Sequence, residues 1–288
     1  MSLEADVEAL WAAAESGALD ASSVEAADLE VLDAFLDALE AGDVLAAEPE
    51  AHVDGAAAGT GSRTWRANAW VKRGILLNFR LRETEARRYG DVTYHDVLPL
   101  ADTGPIGARG TRNTPDGTVV RRGAHVGANA ILMSPCFVNV GASVGDGTLV
   151  DSCDTVGSCA QIGADVKLGA NTLVGGVLEP VEDAPVVIED GVSLGAGCRV
   201  TSGFVVGAGS VVGENTLLTP RIPVYDLVEE TVVYGHLPPE RRAFTRFVPS
   251  SVGDHDLFEG GAYKPAVVAT DLEARTLEAT AREEALRG

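Results

Sequence analysis

VGDGTL-VDSCDT-VGSCAQ-IGADVK-LGANTL-VGGVLE, residues 144–179, places an aliphatic residue at every sixth position. The same phase runs without an error through ten leaders, Val120, Val126, Leu132, Val138, Val144, Val150, Val156, Ile162, Leu168 and Val174. It breaks at PVEDAPVV and resumes at Ile188, Leu194, Val200, Val206, Val212 and Leu218. Gly follows the leader in nine of these sixteen units, and the fifth position is mostly Ala, Ser, Thr or Cys. Neither a free helix nor a long alternating strand has a period of six.

A period of six is the signature of a parallel β-helix built from hexapeptides. Each leader points inward and stacks on its counterpart in the next coil, roughly 4.8 Å away. The glycines are expected to supply the backbone angles that turn one face into the next. Such solenoids resemble the left-handed β-helix proteins, with three hexapeptides to a coil, so sixteen repeats make roughly five coils. The expected solenoid domain is 106–235, with a loop inserted near 180–187.

The flanking parts differ. In residues 1–105 the spacing predicts a small, mostly helical domain. Leu3, Val7, Leu10, Trp11 and Ala14 lie on one helical face that stops at Gly17. A second helix is expected to start at Ser22, with Glu25 closing a capping box. Residues 236–288 read as a capping segment: a β-hairpin from FTRFVPSS to YKPAVVAT, then a helix with Thr270 and Glu273 as its capping pair.

The chain has 288 residues, with 43 acidic side chains against 22 basic ones, of which only three are lysines. This balance fits either an ordinary acidic protein or one adapted to high salt, where screening keeps a dense carboxylate surface soluble. Nucleic acid is excluded as a partner, because phosphate binding needs a basic face. No run of about 18 apolar residues predicts a membrane span. The opening MSLEADVEALW has no secretory pattern, and four cysteines make no disulfide framework, so the cytoplasm is expected. Residues 1–60 carry 15 acidic groups and no Lys or Arg, whereas 63–122 carry 12 basic groups and 6 acidic ones. That basic stretch is the expected place for anionic ligands.

Among candidate site residues, Asp151 stands out, because a carboxylate at the second position departs from the glycine rule without serving the core. Asn139, at the same phase, is a weaker case. Arg112, Arg121 and Arg122 lie at the solenoid entrance, where they fit either carboxylate binding or a solvated surface. The doubled Gly175-Gly176 fits either plain turn chemistry or a backbone N–H offered to an oxyanion. His125 is expected at the surface or a subunit contact. Cys136, Cys153, Cys159 and Cys198 read as structural, and no metal site is expected.

On these phrases the chain resembles the tetrahydrodipicolinate N-succinyltransferases of lysine and diaminopimelate biosynthesis. WVKRGILLNFRL, LMSPCFVNVGA, GTLVDSCDTVGSCAQIG, VGGVLEP and VVIED carry the resemblance. It implies a homotrimer with active sites between neighbouring solenoids, and transfer of succinyl from succinyl-CoA to the amine of ring-opened tetrahydrodipicolinate. Succinyl-CoA is then a cosubstrate, with no tightly bound cofactor. By the resemblance Asp151 contacts the substrate amine, Arg112 (or Arg109) a substrate carboxylate, and Gly176 the oxyanion. Two departures accompany it. Arg199 stands where family members commonly have glutamate, leaving Glu179 or Glu189 as substitutes, and LMSPCFVN has one extra residue. Two alternatives remain, an acetyl-CoA-dependent transferase acting on the same amine and a non-catalytic hexapeptide scaffold.

Overall fold

The structure is a computed structural model and describes residues 2–50, 64–115, 117–178, 183–251, 255, 261–273, 278 and 282. Three helices form the N-terminal layer: α1 (Leu3–Glu15), α2 (Ala26–Ala41) and α3 (Ala69–Leu81). Ser2 caps α1, its Oγ accepting the Ala5 N–H at 3.3 Å. The capping box of α2 is made by Glu25 and Asp28, three residues later than expected. Asp20 explains the shift: its carboxylate accepts the N–H groups of Ser22 and Ser23, and a side chain that satisfies a turn competes with the helix.

Val7, Leu32, Phe35, Leu36, Leu39, Val71, Ile75 and Leu77 make one buried cluster, which includes Val140, Cys159 and Val177 of the solenoid. The helices therefore pack on the solenoid rather than beside it. Close approach of α3 to α2 needs Gly74, where a Cβ would lie 2.7 Å from the Phe35 ring. Five of the twelve basic residues of 63–122 pair with acids of the N-terminal part. Arg66 pairs with Glu48, Arg73 with Glu8, Arg80 with Glu15, Arg82 with Asp33, and Arg122 with Asp37 and Glu40. Those arginines hold one segment of the chain against another, whereas Arg112, in the same stretch, has no ion pair among the described residues.

A short helix, α4 (Thr103–Ala108), leads into the solenoid. Two-residue strands stack in parallel in three sheets, with an offset of eighteen residues in the regular coils, as Val144 with Ile162 and Val156 with Val174, and of 26 across the inserted loop, as Gln161 with Val187. The first face holds His125–Val126, Ser143–Val144, Gln161–Ile162, Val187–Ile188, Val205–Val206 and His236–Leu237. The second starts at Arg112–Asn113 and runs through Leu149–Val150 to Val211–Val212; the third runs from Val119–Val120 to Leu217–Leu218. The leaders are buried in one continuous column. The unit LMSPCF keeps the common register, Leu132 pairing with Val150 and Phe137 with Thr155.

The glycines do a different job from the one expected. Left-handed backbone falls at the fourth position, at Asn129, Gly141, Gly147, Cys153, Cys159, Asp165 and Asn171. The second-position glycines instead let coils touch. A Cβ on Gly145 would lie 2.4 Å from the Gly163 carbonyl carbon, and one on Gly157 would lie 2.3 Å from Gly176 N.

At the far end, strands Arg241–Ser250 and Ala262–Asp271 form the expected hairpin. It continues the second face, because Arg242 and Ala243 stack on Val211 and Val212. Thr270 lies in this hairpin, paired with Arg242, so it does not cap a helix. Leu272 and Glu273, expected in the first turn of the final helix, are not helical; further on Glu278 and Arg282 are described, both helical, while Leu277 and Leu286 lie outside the described residues. Among the described residues, no helix is long and apolar enough to cross a membrane.

Candidate active site

Asp151 follows strand Leu149–Val150 and stands where the chain turns from the second face to the third. It is half-buried, and its Oδ1 accepts the Ser152 N–H at 2.7 Å. Its own N–H donates to Asp154 Oδ2 at 2.7 Å. Asp154 fills the small fifth position of the same unit and is 1% exposed. Burial pushes its carboxyl up to about 8, against the lowering effect of N–H bonds from Thr172 and Asp151.

Arg112 lies on the same face, two coils earlier: it pairs with Ile131, which pairs with Leu149. Its side chain is exposed, and no ion pair among the described residues holds its guanidinium. Arg109 is engaged, Nη2 donating to the Val126 carbonyl at 2.6 Å.

Asn139 and Gly176 line a cavity of about 430 Å³ between α3 and the third face. Leu76, Phe79 and Leu173 form its apolar walls, and Arg121 its charged side. Arg121 is fixed there by Asp96 at 2.6 Å, by Asn139 Oδ1 at 3.2 Å and by the Phe79 ring, 5.3 Å from its guanidinium carbon. Gly176 has no side chain because Ser158 lies against it: a Cβ would stand 2.6 Å from Ser158 Oγ. Gly175 donates its N–H to Val200 O, whereas no acceptor among the described residues holds the Gly176 N–H.

Within one chain, Asn139 and Gly176 are thus brought together, whereas Arg112 and Asp151 share only the second-face side of the solenoid, two coils apart. Asp151 and the cavity pair stand at opposite edges of the third face, and Thr155, the last residue of Asp151's unit, reaches the cavity wall. Arg122 is taken by Asp37 and Glu40 and belongs to the N-terminal packing. Glu189 is no substitute base: Oε1 accepts Trp65 Nε1–H and Oε2 accepts the Ala208 N–H, both at 2.9 Å. Glu179 lies outside the described residues. Arg199 is exposed on the third face, one coil beyond Leu173, with Nη1 on the Gly197 carbonyl.

His125 is not at a free surface. Its Nδ1 lies 2.9 Å from the Glu40 carbonyl and its ring fills the space over Gly42, so it joins the solenoid to α2. Burial raises the thiols of Cys136, Cys159 and Cys198 to about 11, 12 and 11, well away from nucleophilic thiolates. Two features escaped the sequence reading, namely Asp154 and the wall that α3 gives the cavity. A carboxylate at a position otherwise uncharged across the sixteen units was a visible signal for the first.

The stacked six-residue coils define the class, that of the hexapeptide-repeat proteins. Comparison with known proteins goes further. A family model described as tetrahydrodipicolinate N-succinyltransferase N-terminal matches residues 2–81, and one described as the hexapeptide repeat of succinyl-transferase matches 185–220. The chain is 35% identical to a 2,3,4,5-tetrahydropyridine-2,6-dicarboxylate N-succinyltransferase of Caulobacter vibrioides, covering 99% of each. It is also 35% identical to one of a Methylobacterium species, over 98% of this chain and 96% of the relative. A third, from Xylella fastidiosa Temecula1, is 32% identical over 88% of this chain and 86% of its own length. The chain belongs to the tetrahydrodipicolinate N-succinyltransferase family.

Proposed function

We propose that this chain transfers the succinyl group of succinyl-CoA to the amine of tetrahydrodipicolinate in its open form, L-2-amino-6-oxopimelate. The observation that carries this reading is the 35% identity to succinyltransferases over nearly the whole chain, helical layer and solenoid alike. Both substrates are anions, and Arg112 meets a substrate carboxylate at the second face.

The reaction joins the amine nitrogen to the thioester carbon and releases CoA as its thiol. The amine arrives mostly as ammonium. Asp151 holds it by charge, takes its proton and leaves the lone pair free to attack. Negative charge then develops on the former carbonyl oxygen, where the Gly176 N–H stabilises it. Collapse breaks the carbon–sulfur bond; of the two protons the nitrogen gives up between ammonium and amide, one passes through Asp151 to the leaving thiolate and the other is released to solvent. Holding both reactants in line is worth ~7–11 kcal/mol of barrier and is the largest share. No metal is needed at any step.

In this reading the working unit is a homotrimer. Asp151 stands at one edge of the third face, while Asn139 and Gly176 stand at the other. Packing solenoids side by side sets one chain's Asp151 edge against its neighbour's cavity edge and completes the site. The setting is the cytoplasm, which fits four cysteines that are all free thiols.

The test is CoA release by the purified protein in molar KCl, with tetrahydrodipicolinate and either succinyl-CoA or acetyl-CoA. At least tenfold higher kcat/KM with succinyl-CoA is expected. Preference for acetyl-CoA would move the chain to an acetylating role, and release with neither would leave a scaffold.

A further inference from the structure

Between Arg121 and Gly213, the residue after each leader donates its N–H to the leader one coil further on. Arg121 donates to Val138 O at 3.0 Å, Met133 to Val150 O at 2.8 Å, Gly157 to Val174 O at 2.8 Å and Gly169 to Leu194 O at 2.9 Å. Asp151 breaks the rule. By register its acceptor would be the Leu168 carbonyl, yet its N–H goes to Asp154 Oδ2. Asp154 in turn donates its N–H to the Asp151 carbonyl at 3.2 Å, so the turn is tied at both ends. The other carboxyl oxygen, Oδ1, accepts the Thr172 N–H of the next coil at 2.7 Å.

From this exchange of partners we propose that Asp154 is a positioning residue, which draws the Asp151 amide out of the ladder and so sets where the Asp151 carboxylate stands. Its catalytic consequence rests on the succinyl-transfer reading; the contact itself does not.

The physical reason is specific to a carboxylate. Only a side chain with two accepting oxygens meets an N–H on its own turn and another on the next coil. Thr148, at the same fifth position one unit earlier, accepts the Val166 N–H but reaches back to no second amide, and Gly145 keeps its ladder bond to Ile162 O. The groups facing Asp154 are Asp151 on its own turn, Thr172 on the next coil and Cys136 on the preceding one. Apart from Asp151 they carry no charge, so burial dominates and Asp154 changes between neutral and ionised near pH 8. The ionised form offers both oxygens to the two N–H groups. As pH falls below about 8 one oxygen takes a proton, and the hold on the Asp151 amide weakens.

The experiment follows the Asp151 amide resonance of the full-length protein from pH 6 to 10, without substrates, alongside kcat for succinyl transfer. In the wild type the amide is expected to shift with a midpoint near pH 8, and kcat to rise through the same midpoint. Asp154→Asn should abolish both inflections. Asp154→Ala should lower kcat at least tenfold with the KM for succinyl-CoA changed less than twofold. If the alanine variant does not fold, the asparagine variant carries the comparison. A flat Asp151 amide titration in the wild type, or a wild-type kcat in Asp154→Ala, would overturn the proposal. A wild type that transfers no acyl group would break the functional reading instead, and the amide titration would still decide the contact.

Discussion

VDSCDT, residues 150–155, and LGANTL, residues 168–173, occupy the same corner of the solenoid one coil apart. Their backbones are near-copies: the fourth residues, Cys153 and Asn171, have φ of 64° and 63°. Their chemistry is opposite. Gly169 is pressed against the next coil, where a Cβ would lie 2.7 Å from Ala196 N and Leu194 O, and its N–H stays in the ladder. Asp151 carries a side chain at that position and has left the ladder for Asp154. One corner is optimised for stacking; the other gives up a stacking bond to present a carboxylate. A regular scaffold makes such an exception readable, since every neighbouring coil is its control.

The largest effect expected on stability concerns pH. Asp154 has a folded-state pKa of about 8 against an ordinary value of 3.8. A raised carboxyl pKa means that its stabilising contribution is complete below about pH 4 and is lost as pH rises through about 8. Between pH 4 and 9 the wild type should therefore lose about 5 kcal/mol relative to Asp154→Asn. Urea denaturation of both proteins across that range measures it, and parallel curves would remove the buried acid from the account.

A smaller effect separates the two corners. Gly169→Ala forces a methyl group into backbone of the next coil and should cost about 1–3 kcal/mol. Asp151→Ala, at the corner already opened, should cost less than that. Thermal unfolding of the two variants would erase the distinction if the order were reversed.

The smallest lies outside both. Arg66 and Glu48 form an ion pair with side chains 64% and 47% exposed, so Arg66→Ala should change stability by less than ~1 kcal/mol and still less in molar salt.

Much of this was legible beforehand. The leaders from Val120 to Leu218 announce the coil because only inward aliphatic residues recur at six, and Asp151 announces itself by violating that pattern. The role of the second-position glycine was misread, because close approach of successive coils leaves no local signal distinct from a demand for positive φ. The fourth-position residues supply that φ instead. The partners of Arg73, Arg82 and Arg122 were invisible, since Glu8, Asp33 and Asp37 lie far away in the chain and meet them only after packing. Asp154 was written plainly in VDSCDT, but its burial and its hold on the Asp151 amide arise only when Thr172 of the next coil closes over it.

The most direct test of the central claim, that the VDSCDT corner does the chemistry, is kcat for CoA release by Asp151→Asn with succinyl-CoA and tetrahydrodipicolinate. It requires a variant whose circular dichroism and melting temperature match the wild type. Loss of a proton acceptor in acyl transfer predicts a fall of about 100-fold or more. A kcat within threefold of wild type would contradict the account and leave Asp151 as one more turn of the scaffold.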